Sequence, residues 1–153
     1  MGKYFGTDGF RGEANVDLTA MHAFKVGRFL GWYYGRFHKC SVAIGKDTRR
    51  SSYMFEDALA AGLTSTGADV YLLHVTTTPS VSYIVKTENF DCGIMISASH
   101  NPFYDNGIKL INGKGEKMEQ EVIDEVEKYI DADFDTVPYV TGEKIGRTVD
   151  YFA

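Results

Sequence analysis

The stretch Cys92-Gly93-Ile94-Met95-Ile96-Ser97-Ala98-Ser99-His100-Asn101-Pro102-Phe103-Tyr104-Asp105-Asn106-Gly107-Ile108-Lys109-Leu110-Ile111 decides how this chain folds. Its first five residues form a short apolar run of the length and composition of a buried strand. That run then empties two hydroxyls, an imidazole and an amide into one place. Asn101-Pro102 bends the chain, because proline fixes its own φ and biases the residue before it away from helix. Asp105-Asn106-Gly107 is a second turn signal. Two turns so close together send the chain back on itself, so 108–111 is expected as a strand antiparallel to 92–97. Alternation puts Ile108 and Leu110 on one face and the Lys109 stem on the other, with its ammonium in reach of the loop. Read without context, the loop is a hairpin connection with a polar tip. The crowding of Ser97, Ser99, His100 and Asn101 ahead of Lys109 makes it a candidate site instead.

Upstream, 41–45 and 69–74 read as further strands, with a helical pattern after each, through Phe55, Leu59 and Leu63 and then Val81, Ile84 and Val85. Three strands joined by two helices imply parallel pairing through right-handed crossovers. The expected fold is α/β: a three-layer α/β/α domain with a four-stranded mixed sheet, mostly parallel with one antiparallel strand. In such a sheet the loops at the carboxyl ends of the strands form the binding crevice, which brings 46–52, 75–78 and 97–101 together.

Thr19 is expected to cap a helix running to about Phe37. Gly27 and Gly31 on its inner stripe cost roughly 1 kcal/mol each against alanine, which points to close backbone packing on a sheet or a neighbouring domain. His22 and His38 read as solvated helix or turn residues. Ser52 is the expected cap of the second helix, and Thr78, followed by Pro79, that of the third. Val122, Ile123, Val126, Tyr129 and Ile130 mark an amphipathic fourth helix. Residues 1–135 thus form the domain, and 136–153 an extended exit segment.

A chain of 153 residues with 44% hydrophobic and 14% aromatic content is a folded globule. Its net charge of −5 gives no support for nucleic acid or an anionic membrane as partner. With no apolar run approaching a membrane span and no signal-peptide core, a cytoplasmic location is expected. Cys40 and Cys92 read as reduced core residues.

Basic residues nevertheless gather near turns. Phe5-Gly6-Thr7-Asp8-Gly9-Phe10-Arg11-Gly12 has glycines whose amides can approach an anion. Lys46-Asp47-Thr48-Arg49-Arg50-Ser51-Ser52 lies between a strand and a helix N-terminus, as phosphate sites often do, although a solvated basic turn reads equally well. Ser99 as a hydrolytic nucleophile would require a base and a group to orient it. His100 is adjacent, but no Asp or Glu is placed to complete such a triad.

The run Ser-Ala-Ser-His-Asn-Pro-Phe-Tyr-Asp-Asn-Gly-Ile-Lys, together with Phe-Gly-Thr-Asp-Gly-Phe-Arg-Gly and Gly-Lys-Asp-Thr-Arg, resembles the first domain of the α-D-phosphohexomutase superfamily, most closely its phosphoglucosamine mutase branch. The resemblance implies that Ser99 carries the catalytic phosphoryl group, with Arg11 beside it. Lys109 then handles the hydroxyl proton and His100 touches substrate or phosphate, while Asn101, Lys46 and Arg49 line the phosphate site. It implies Mg²⁺, met here only through a phosphate oxygen on Ser99, its other ligands being an Asp-x-Asp-x-Asp loop in a domain this sequence lacks. A hexose 1,6-bisphosphate as activator, a phosphosugar substrate and the remaining domains as partners follow from the same likeness. The implied reaction interconverts glucosamine 6-phosphate and glucosamine 1-phosphate, with the 153 residues alone inactive. A phosphoglucomutase or phosphomannomutase domain, or a non-catalytic phosphosugar-binding module, are the alternatives.

Overall fold

The computed structural model describes residues 2–151, so Met1 and 152–153, the outer ends of the two expected segments, lie outside it. Strands β1 (Phe10–Glu13), β2 (Ser41–Lys46), β3 (Asp69–Val75), β4 (Cys92–Ile96), β5 (Asp105–Asn112) and β6 (Thr148–Asp150) form one sheet in the order β1-β5-β4-β2-β3-β6. Strand β5 runs antiparallel to both of its neighbours, and the pairs β4-β2, β2-β3 and β3-β6 are parallel. The α/β class and the single reversed strand are as expected, but the sheet has six strands and not four. The two extra strands are short edges that carry little apolar periodicity. β1 reads Phe-Arg-Gly-Glu inside a glycine-rich turn, and β6 is three residues of the expected exit segment.

Helices α1 (Ala20–Tyr34), α2 (Arg50–Thr64) and α4 (Gln120–Ile130) share one apolar cluster with Val42, Ile44, Ile94, Ile96, Ile108 and Leu110. Helix α3 (Thr78–Thr87) covers the opposite face, where Val81 and Val85 meet Ala43, Met95 and Ile111. The period-two alternation of β2, β4 and β5 therefore sorts their side chains into an α2 face and an α3 face.

The close packing foreseen for Gly27 is against α2 rather than the sheet. A Cβ on Gly27 would stand 2.5 Å from the Leu59 carbonyl oxygen, and one on Gly62 would stand 2.2 Å from that of Phe24. Both contacts are with backbone, which cannot swing aside. Gly62→Ala is therefore expected to destabilise the domain by about 1–3 kcal/mol, the cost of overpacking a tight contact. Denaturant unfolding measures it, and an unchanged midpoint would mean that the helices separate freely.

Two caps fall one or more residues earlier than expected. Arg49 occupies the α2 N-cap, and Ser52 lies inside the first turn, buried, with its hydroxyl donating to Asp47 Oδ1 at 2.6 Å. The α3 cap is Thr77, whose hydroxyl accepts the Ser80 N–H, with Pro79 in the first turn. Adjacent threonines can each cap, and a first-turn proline suits either register. Thr19 does cap α1, but His22 is part of that cap rather than solvated, since its Nδ1 accepts the Thr19 N–H at 3.0 Å.

The segment after α4 is anchored, not merely extended. Arg28 is fully buried, and its guanidinium donates to Asp135 Oδ2 and to the carbonyls of Val137 and Pro138 while stacking 3.6 Å from the Tyr139 ring. Cys40 and Cys92 are free and buried, and burial pushes both thiols well above their ordinary range, so they are inert core groups.

Candidate functional site

Alternation along three adjacent strands carries polar groups out of the α3 face at one end of the sheet. On β2 the face reads Ala43, Gly45 and then Asp47; on β4 it reads Met95 and then Ser97; on β5 it reads Ile111, Lys109 and then Gly107. Ser97 N–H donates to the Gly107 carbonyl at 3.0 Å and Asp47 N–H to that of Ile96 at 3.0 Å, so the ladder continues past the strand ends into the loops. Arg11 pairs with Gly107 across β1 and β5, and its Cγ lies 2.9 Å from the point a Gly107 Cβ would occupy. Only glycine leaves room for that stem. Arg11, Gly107 and Ser97 form one row across three strands, with Lys109 two residues along β5 on the same face.

Ser99 and His100 stand exposed just beyond this row. Ser99 has φ +56°, a left-handed conformation unfavourable for a residue with a side chain. Its N–H donates to Ser97 Oγ at 3.0 Å. Its carbonyl and that of Asn101 accept from Arg49 Nη2 at 3.2 and 2.7 Å. Arg49 Nη1 is paired with Asp47 Oδ2, and Arg49 Nε is buried without a partner among the described residues. Burial works against ionisation of Asp47, but hydrogen bonds from Ser52, the Arg49 amide and Ser97, with the Arg49 charge, hold its carboxyl below the usual range.

Not every expected residue converges. Arg11 and Lys109 lie on strands leading into the loop, and neither side chain has a hydrogen bond or ion pair among the described residues. Asn101 gives its backbone carbonyl to Arg49, while its amide makes only a long 3.4 Å contact with Asp105. Arg49 is committed to the loop backbone. Lys46 lies on the α2 face, buried, with its ammonium 2.9 Å from Glu56 Oε2 and 4.6 Å from the Tyr53 ring centre. The basic turn therefore divides, Asp47 and Arg49 to the site and Lys46 to the core. The glycine-rich turn also differs from expectation. Gly6 and Gly9 exchange N–H···O bonds of 3.0 and 3.2 Å, which occupies those amides.

Sequence reasoning gave no role to Asp47 or to the buried Asn106, whose amide donates to Ser51 and Ser52 hydroxyls at 2.9 and 3.0 Å and fixes β5 to the start of α2. Asp47 was legible as the next α3-face position after Gly45. Among the described residues no group of three His, Cys, Asp or Glu side chains could hold a metal ion. An open groove of about 640 Å³ runs along the loop's outer flank, between Arg50, Ser51 and Met54 on α2 and the exposed Phe103 and Tyr104. A hollow of about 450 Å³ between α1 and α4, lined by Phe29, Trp32 and Tyr129, shares none of the loop's residues.

A doubly covered α/β sheet with a polar serine loop at one end defines the class of domain, and comparison with known proteins places the chain in a family. Residues 2–136 match the family profile of phosphoglucomutase/phosphomannomutase, alpha/beta/alpha domain I, and the chain belongs to that family. The chain is 73% identical to a phosphoglucosamine mutase from Lachnospira eligens over 100% of its own length and 35% of the relative's. It is 52% identical to a Streptococcus thermophilus phosphoglucosamine mutase over 99% of its length and 34% of the relative's. It thus spans about a third of these relatives. A Burkholderia thailandensis phosphoglucomutase/phosphomannomutase family protein shares the fold with a TM-score of 0.76 at 24% identity, over 97% of this chain and 33% of that one. No helix among the described residues is long and apolar enough to cross a membrane.

Proposed function

We propose that this domain carries the phosphoryl-bearing serine of a phosphoglucosamine mutase, the enzyme that interconverts glucosamine 6-phosphate and glucosamine 1-phosphate. One observation supports this reading above the others: Ser99 is held in a strained, exposed conformation at the end of β4, and the strands on that side carry Arg11 and Lys109, two cations that no carboxylate among the described residues neutralises. Near neutral pH a phosphate on Ser99 brings about −1.5 to −2 charges, which those cations offset. The high identity to phosphoglucosamine mutases over the whole chain favours this sugar over the phosphoglucomutase and phosphomannomutase reactions.

In the proposed exchange, an oxygen of the sugar's free hydroxyl bonds to phosphorus as the bond from phosphorus to Ser99 Oγ breaks. Lys109 takes part in handling the hydroxyl proton, and Arg11 stabilises charge on the transferring group. The bisphosphate reorients and its other phosphoryl group returns to Ser99 by the same step in reverse. Positioning and charge carry such a reaction more than strong bases do. His100, exposed beside Ser99 in the chain, contacts the substrate in this reading, as does the Asn101 amide. When bound, Mg²⁺ would neutralise phosphoryl charge, and in this domain a phosphate on Ser99 would be the group that holds it. Asp47 is engaged by Arg49 and Ser52, so the remaining ligands belong to the rest of the enzyme, which works in the cytoplasm.

Incubating the intact enzyme with a hexose 1,6-bisphosphate and mapping its peptides by mass is expected to place one phosphate on Ser99. A phosphate on Ser97 instead, or none, would end this reading.

A further inference from the structure

We propose that Asp47 and Arg49 form one positioning device that holds the carboxyl side of the Ser99 peptide and, with Ser97 on the amino side, keeps it left-handed, so that its hydroxyl is presented outward. The inference rests on the reading of Ser99 as the phosphoryl carrier and adds residues whose role is exerted through it. A non-glycine residue at positive φ costs on the order of 1–3 kcal/mol and persists only where its surroundings overdetermine it. Two grips do so here. On the amino side the Ser99 N–H donates to Ser97 Oγ at 3.0 Å. On the carboxyl side Arg49 Nη2 donates to the carbonyls of Ser99 and Asn101, while Nη1 is tied to Asp47.

The carboxyl-side grip ends on the Asp47 carboxylate. Asp47 is itself fixed by Ser52 Oγ at 2.6 Å and by the Arg49 N–H at 3.0 Å, both at the start of α2. An unbroken chain of hydrogen bonds and one ion pair therefore runs from the start of α2 through Asp47 and Arg49 to the Ser99 carbonyl. A guanidinium is needed because its planar fork can hold a carboxylate and two carbonyls together, which a single ammonium cannot. Arg49 therefore acts on the loop backbone and not on the substrate's phosphate.

Arg49→Lys and Asp47→Asn in the intact enzyme test this, each keeping size while weakening the grip. Deuterium exchange of the peptide covering 97–104 is expected to quicken in both. The kcat is expected to fall about 10²-fold, the cost of an ångström-scale misplacement, with KM for the phosphosugar within about twofold, since ground-state contacts are kept. A raised KM at unchanged kcat would make Arg49 a direct phosphate ligand and overturn the proposal. So would unchanged exchange, or a lowered melting temperature with full kcat per folded molecule. The exchange readout does not depend on which reaction Ser99 performs, so phosphate mapping can fail while the grip stands, and the reverse.

Discussion

Ser99→Ala in the intact enzyme is expected to lose phosphosugar interconversion by roughly 10⁶-fold, the lower end of enzymatic rate enhancement, because the covalent carrier is gone and no neighbour replaces it. Ser97 is the next hydroxyl along the loop, but its Oγ accepts the Ser99 N–H. The same change should leave the fold alone. Ser99 is exposed, and alanine at φ +56° is no more strained than serine, so stability should move within about 0.5 kcal/mol. Ser99→Gly, free of the left-handed penalty, is expected to be at least as stable as the wild type and equally inactive. Turnover measured beside melting curves for both variants separates chemistry from folding. Normal turnover in either one would remove Ser99 from the mechanism.

Much of this site was legible in the sequence because it is built on the strongest short-range signals. The apolar run 92–96, the Asn101-Pro102 bend and the Asp-Asn-Gly turn specify β4, the loop and β5. Alternation then places Lys109 on the face opposite Ile108 and Leu110, as it is in the structure. The same rule applied to β2 separates Lys46 from Asp47, since Val42, Ile44 and Lys46 share one face. Reading the basic turn as a unit obscured that separation. Other features had no local signal. β1 and β6 are strands only because a longer neighbour offers them an edge, with Arg11 set on Gly107 and Thr148 on Val70. The stripe at Gly27 and Gly31 announces close approach but not its partner, which depends on the matching Gly62 in another helix. Arg28 looks like any helix-surface arginine until Asp135, Val137 and Pro138, more than a hundred residues later, close around it.

Arg11 and Lys109 should carry the next largest effect after Ser99, and their geometry says how to test them without disturbing the fold. Arg11 is exposed, and its stem crosses Gly107, so Arg11→Ala removes a charge and little packing. Lys109 is half-buried opposite Met95, and its stem belongs to the α3 face, so Lys109→Met, which keeps that stem, is the cleaner change. Each is expected to lower kcat by about 10²–10³-fold, as the loss of one group stabilising transition-state charge does elsewhere. Stability should again move within about 0.5 kcal/mol, as for ordinary surface changes. Because both cations act on one phosphoryl group, the double variant should lose less than the product of the single losses. Arg11→Lys restores charge without the fork and is expected to recover only part of the rate. The discriminating measurement is kcat per folded molecule together with the melting temperature: a large thermal loss with activity retained would make these residues structural. An Arg11→Ala enzyme with normal kcat but a raised KM would move that charge from the transferring phosphoryl group to the resting one.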